Sequence, residues 1–87
     1  MRFVSFEWDG LNVDHVARHD VEPHEAEAAC RGALILRGRE GRYVAYGRTG
    51  EGRYLTIVIA AKGGGVARII TARDMTRRER QFYHRRH

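Results

Sequence analysis

The sequence predicts a single α+β domain over residues 1–87: an N-terminal strand and two helices, an antiparallel β-meander sheet, and a C-terminal helix. Three observations predict it. Apolar residues recur at helical spacing between Asp9 and Cys30 and again near the C-terminus, whereas the middle of the chain alternates or runs continuously apolar. The stretch Tyr54-Leu55-Thr56-Ile57-Val58-Ile59 is β-branched and aromatic, as a strand demands. The length of 87 residues fits one domain. Such a chain buries only about 60% of its unfolded surface. A site is therefore expected on an open sheet face or in a shallow groove, not in a deep cleft.

Arg2 to Trp8 reads as the first strand, with Phe3, Ser5 and Glu7 on one side and Val4, Phe6 and Trp8 on the other. Asp9-Gly10 opens a helix, with Asp9 as N-cap and Val13, Val16 and Ala17 as its apolar stripe. That helix stops near His19-Asp20. Pro23 suits the first turn of a second helix, whose buried side is Ala26, Ala29 and Cys30 and whose end is Gly32. Ala33 to Leu36 is a short apolar strand. Arg42 to Thr49 alternates, placing Arg42, Val44, Tyr46 and Arg48 opposite Tyr43, Ala45 and Gly47. Gly50-Glu51-Gly52 turns the chain into the strand Arg53 to Ala61, whose near-continuous apolarity predicts a central position covered on both faces. Lys62-Gly63-Gly64-Gly65 is a hairpin turn, and Val66 to Ala72 is the return strand. Thr76-x-x-Glu79 is a capping box that starts the last helix. Met75, Phe82 and Tyr83 can reach the sheet, Arg77, Arg78, Arg80, Arg85 and Arg86 face outward, and His84 to His87 form a solvated end.

The formal net charge is +5, and its distribution is more informative. Residues 1–30 hold two arginines against seven acids, a local charge of −5, while residues 31–87 hold fourteen basic residues against four acids, a local charge of +10. The second part asks for a polyanionic partner. Lys62 is the only lysine among sixteen basic residues. Arginine grips phosphate through paired hydrogen bonds and stacks on bases, which suits RNA. A GC-rich or thermophilic source also favours arginine, but does not explain the split along the chain. The single cysteine, Cys30, excludes an intramolecular disulfide and fits a reducing, cytoplasmic setting. It reads as a small buried apolar residue. The start, Met1-Arg2-Phe3-Val4-Ser5, lacks the apolar core of a signal peptide, and no apolar run approaches the roughly 18 residues of a membrane span.

Several segments resemble the BrnT family of toxins. Phe6-Glu7-Trp8-Asp9 followed by Arg18-His19-Asp20-Val21 resembles its F-x-W-D and K-H-G-V opening. Glu40-Gly41-Arg42-Tyr43 with Tyr46-Gly47-Arg48-Thr49 resembles its E-E-R-W…G-R-S/T strand, and Gly52-Arg53-Tyr54-Leu55 its G-R-x-L hairpin. Arg68-Ile69-Ile70-Thr71-Ala72-Arg73, then Thr76-Arg77-Arg78-Glu79-Arg80 and Tyr83, resembles its ending. The chain departs at Arg18 (lysine in the family), Asp20 (glycine), Gly41 (a second glutamate) and in a shorter connection between Leu36 and Arg42. The resemblance implies a RelE-like endoribonuclease toxin that halts translation. Its partner would be a ribbon-helix-helix antitoxin, in a hetero-oligomer that represses its own promoter.

RNA carries its own nucleophile, the 2′-hydroxyl. A metal-free ribonuclease then needs a base, an acid and positive charge on the transition state. Arg42, Arg48 and Arg73 are the leading charge candidates. A regular last strand would place Arg68 and Arg73 on opposite faces. His19, Glu79 and Tyr83 are the acid–base candidates, since histidine titrates nearest neutrality. Arg18, Arg53, Arg68, Arg77 and Arg78 are candidate RNA-binding residues. Each has a structural reading beside the chemical one: salt bridging to the acidic first third for the arginines, a helix C-terminus for His19, capping for Glu79, core packing for Tyr83. His15, His19 and His24 lack a convincing third ligand, so neither a metal nor a cofactor is expected. Two classes of function remain: a metal-independent endoribonuclease, or a non-catalytic RNA- or antitoxin-binding module.

Overall fold

The computed structural model describes residues 2–86. Its elements run β1 (Ser5–Glu7), α1 (Gly10–Ala17), α2 (Pro23–Cys30), β2 (Leu34–Arg37), β3 (Arg42–Arg48), β4 (Tyr54–Gly63), β5 (Val66–Asp74) and α3 (Arg77–Arg86). The α+β order expected from the sequence is the order found. His87 lies outside the described residues, and His84 to Arg86 belong to α3 rather than to a loose end.

The strands form one sheet in the order β1-β5-β4-β3-β2. β2 to β5 are an antiparallel meander, and β1 pairs with β5 in parallel. The sheet is therefore mixed. β1 is shorter than Arg2 to Trp8, and its sides differ from strict alternation. Val4 and Ser5 both donate to the Gly65 carbonyl, so Phe3 turns inward with Phe6 and Trp8 while Val4 is 72% exposed.

α1 and α2 cover one face. Leu55, Ile57, Ile59 and Ile69 point into this layer and are fully buried against Val16, Val21, Ala26, Ala29 and Cys30. α2 lies so close to β3 that a Cβ on Gly47 would fall 1.9 Å from the Ala29 carbonyl oxygen. The stripe of α1 differs from the expected one. Ala17 is exposed, and Asn12 is buried in its place, donating to the Glu7 and Ile69 carbonyls and so tying β1, α1 and β5 together.

The helix ends follow local chemistry. The Asp9 carboxylate accepts from the Leu11 and Asn12 amides, and the Asn12 side-chain oxygen accepts from the Asp9 amide. At the other end Asp20 takes φ 59, the left-handed conformation that glycine would adopt more cheaply. Its amide bonds the Ala17 carbonyl, and the Val21 amide bonds that of Val16. Val16 and Val21 then bury together beneath the turn.

The second face of the sheet departs from expectation. β4 is central, but only its α1/α2 side is fully sealed. On the other side Thr56 is buried, while Tyr54, Val58 and Ala60 are partly exposed, because α3 reaches only one end of that face.

Candidate functional site

Strand register builds the open face in rows. Tyr46, Thr56 and Arg73 are paired in sequence across β3, β4 and β5. Arg48 and Tyr54 form the row nearer the chain turn. Val44, Val58 and Thr71 form the next row inward, and Arg42, Ala60 and Arg68 the one beyond. Paired residues in a sheet point to the same side. A register shift at Val58/Ile59 leaves Ile70 as an extra residue in β5. This bulge reverses the phase of the strand, so Arg68 and Arg73 share the open face rather than lying on opposite ones.

The row Tyr46–Thr56–Arg73 meets the first turn of α3. The capping box is formed as the sequence predicts: the Thr76 amide donates to Glu79 Oε1 at 2.9 Å, and the Glu79 amide to Thr76 Oγ1 at 3.1 Å. The same carboxylate faces the sheet. Arg73 donates both terminal nitrogens to it, at 2.7 and 3.0 Å, and Thr56 Oγ1 donates at 3.0 Å. These donors hold the Glu79 carboxyl down at about 2, with the Arg73 bonds contributing most and partial burial opposing them. Tyr46 moves the other way. Desolvation first, and the Glu79 charge second, push its phenol up, while Arg73 opposes the shift. The row thus sets an ionised carboxylate, a guanidinium and a neutral phenol side by side.

Aromatic packing fixes α3 over this end. Phe82 meets Tyr46 edge-on at 5.5 Å and Tyr83 meets Tyr54 at 5.9 Å. Tyr83 is only 7% exposed, so most of its ring serves packing. Tyr54 lies near two guanidinium groups, Arg80 at 4.4 Å and Arg48 at 5.2 Å from the ring centre. Among the described residues neither arginine makes an ion pair with a carboxylate. Arg77 and Arg78 lie exposed on α3.

A family model described as the ribonuclease toxin BrnT of type II toxin–antitoxin systems matches residues 8–79. The chain belongs to the BrnT family. No curated protein and no solved structure matches it. BrnT-family membership makes this chain a ribonuclease toxin by family, with RNA as substrate and an antitoxin protein as partner. No helix among the described residues is long and apolar enough to cross a membrane.

Within this BrnT-family fold the remaining candidates are spread apart. Arg42 and Arg48 share a face as expected, but six residues of strand separate them by about 20 Å, too far to hold one phosphate. His19 lies at the end of α1, stacked near His15, and its carbonyl accepts from Arg53. Among the described residues no hydrogen bond joins His19 to Arg73 or Glu79. Arg18 is exposed beside it.

Arg53 and Arg68 are occupied by the fold. Arg53 donates to Asp74 at 2.8 Å, to Glu25 at 3.1 Å, and to the carbonyls of Asp20 and His19, closing the C-terminus of α1. Arg68 donates to Glu7 at 3.0 Å and Asp9 at 2.9 Å. Glu7, Asp9 and Glu25 of the acidic first third, with Asp74 of β5, therefore neutralise these two and leave the α3 side of the sheet cationic. Cys30 is buried, and burial raises its thiol to about 12, which suits packing rather than nucleophilic chemistry. Among the described residues no cluster of three or more His, Cys, Asp or Glu could hold a metal ion.

Sequence reasoning missed Tyr46 and Thr56. Their signal was present in the alternation of β3 and β4, but a tyrosine and a threonine in strands read first as ordinary β-formers.

Proposed function

We propose that this chain is a metal-independent endoribonuclease toxin whose active centre is the Tyr46–Thr56–Arg73–Glu79 cluster on the open sheet face. The observation that carries the proposal is the paired grip of Arg73 on Glu79 beside a neutral phenol. A scissile phosphate offers Arg73 the same two-oxygen geometry as a carboxylate, so substrate competes with Glu79 for the guanidinium. Released from Arg73, Glu79 loses its strongest acidifying contact and becomes a better proton acceptor. It then takes the proton from the 2′-hydroxyl as that oxygen attacks phosphorus. The bond to the 5′-oxygen breaks, and Tyr46 supplies the proton that the leaving oxygen requires. Arg73 and Arg48 stabilise the added negative charge. Arg42, Arg77 and Arg78 hold phosphates further along the strand, with Arg18 at the periphery, while Arg53 and Arg68 act mainly by shaping the fold. Tyr83 positions α3, and His19 stands outside this scheme as an alternative proton carrier.

The physiological setting proposed with this activity is cytoplasmic, in a RelE-like fold that inhibits translation by cutting RNA. A ribbon-helix-helix antitoxin neutralises it in a hetero-oligomer. The test is cleavage of an RNA oligonucleotide by purified protein in excess chelator. Product with a cyclic phosphate end, lost in Arg73→Ala and Tyr46→Phe, supports the reading. No product, or product that requires added metal, overturns it.

A second reading has its own observation. Glu79 already accepts from Arg73, Thr56 and Thr76, which suits a structural carboxylate. A non-catalytic module that binds RNA or antitoxin would then show salt-sensitive RNA binding without product.

A further inference from the structure

On the other side of the sheet a cleft of about 650 Å³ opens between the residues that precede β1 and the turn from α2 into β2. Phe3, Val4, Ala33 and Ile35 provide its apolar lining, with Arg2 and Arg31 at its rim. Ile35 pairs with Ala45, which is buried beneath α2, so the cleft lies on the side away from Arg73. Val4 is 72% exposed there, so together with Phe3, Ala33 and Ile35 it presents a contiguous apolar surface in a concave setting. Arg37 lies on the same side, with its guanidinium 6.0 Å from the Tyr43 ring that meets Phe3. Glu27 is the nearby carboxylate, 3.8 Å from Arg31 and bonded to the Trp8 indole, so cations remain in excess around the cleft. Along it runs β2, an edge of the sheet, which among the described residues pairs with β3 alone.

We propose that this cleft and the β2 edge are a docking surface for an extended, acidic and apolar segment of the antitoxin. The proposal rests on the toxin reading and says where the partner holds on. Backbone pairing along Leu34–Arg37 would continue the sheet, an apolar side chain would enter over Phe3, Val4 and Ile35, and carboxylates would meet Arg2, Arg31 and Arg37. Charge selects this occupant. In a second copy, Glu7, Asp9, Glu25 and Glu27 of the acidic first third are already engaged by Arg68, Arg53 and Arg31, so the chain's own carboxylates match the rim poorly. The surface is separate from the catalytic row, so the anchoring contacts of the antitoxin and its blocking of RNA would be separable by mutation.

The test is titration of a fluorescently labelled cognate antitoxin into wild type, Val4→Asp and Arg31→Glu. The Val4 side chain is exposed and the Arg31 side chain is 70% exposed, so neither change disturbs the core. Unaltered thermal melts check this. Each variant is expected to weaken binding at least tenfold while cutting RNA at the wild-type rate. Variants that bind the antitoxin as tightly as wild type overturn the proposal, as does a loss of RNA affinity with antitoxin binding intact. RNA cleavage by the wild type, read in the same preparation, tests the ribonuclease reading independently.

Discussion

The two faces of the sheet are made of the same strands but of different matter. The side under α1 and α2 is aliphatic, closed to water and pressed so tightly that Gly47 has no room for a methyl group. The side under α3 is polar and half open, with Tyr46, Thr56 and Arg73 in one row. The arginines divide too. Arg53 reaches Glu25 and Asp74, Arg68 reaches Glu7 and Asp9, and both become struts, whereas Arg48 and Arg80 lie near the Tyr54 ring with no carboxylate partner among the described residues. Charge at the level of composition does not separate binding from scaffolding. What separates them is whether the topology brings an acid within reach.

Breaking the closed face has the largest expected effect. Gly47→Ala puts a Cβ against the Ala29 backbone, which cannot move without lifting α2. A loss of about 3 kcal/mol or more is expected, enough to unfold a marginal domain, read as loss of a cooperative melt. Next comes the open face. Arg73→Ala should lower the cleavage rate about 100- to 1000-fold, as removal of a charge-stabilising donor does, with Arg73→Lys recovering only part because lysine cannot make the paired contact. Arg53→Ala tests the strut reading. It should cost about 1–3 kcal/mol in chemical denaturation by uncapping α1 and freeing Asp74, yet leave cleavage per folded molecule within about twofold.

A smaller effect should appear on acidification. The Glu79 carboxyl is lowered from its ordinary 4.5 to about 2, so its stabilisation is complete above about 4.5 and is lost as pH falls from there towards 2. Discounted for a site open to solvent, this is on the order of 1–2 kcal/mol. Glu79→Gln should flatten the pH dependence of stability in that window and leave it unchanged near neutrality apart from a constant offset. The smallest effect is expected at Asp20→Gly, which relieves the left-handed conformation at φ 59 and should raise stability by up to about 1 kcal/mol with no change in cleavage.

Periodicity made most of the closed face legible. Leu55, Ile57 and Ile59 in a β-branched run, and Ala26, Ala29 and Cys30 at helical spacing, point to their burial without further information. Asp9, Pro23, Gly32 and the Thr76–Glu79 box mark helix ends for local reasons that travel with the sequence. The open face was less legible, because its geometry depends on register. The extra residue at Ile70 turns Arg68 onto the face of Arg73, and no alternation pattern announces a bulge. The pairing of Arg53 with Glu25 and Asp74 joins three distant parts of the chain, so sequence reading could offer salt bridging and RNA contact but not choose between them. Tyr46 became a site candidate only when the register placed it beside Thr56 and Arg73.

On the proposed reading, the open face does the chemistry and the closed side holds the fold. Cleavage of one RNA substrate in excess chelator by wild type, Arg73→Ala and Arg53→Ala, each rate normalised to the folded fraction, separates these two roles. That division of roles gives wild-type rates for Arg53→Ala despite its lower stability, and for Arg73→Ala a rate at least 100-fold down beyond what loss of the Glu79 contact costs in folded fraction. Equal rates for Arg73→Ala and wild type, or a loss in Arg53→Ala that folding does not explain, would contradict it.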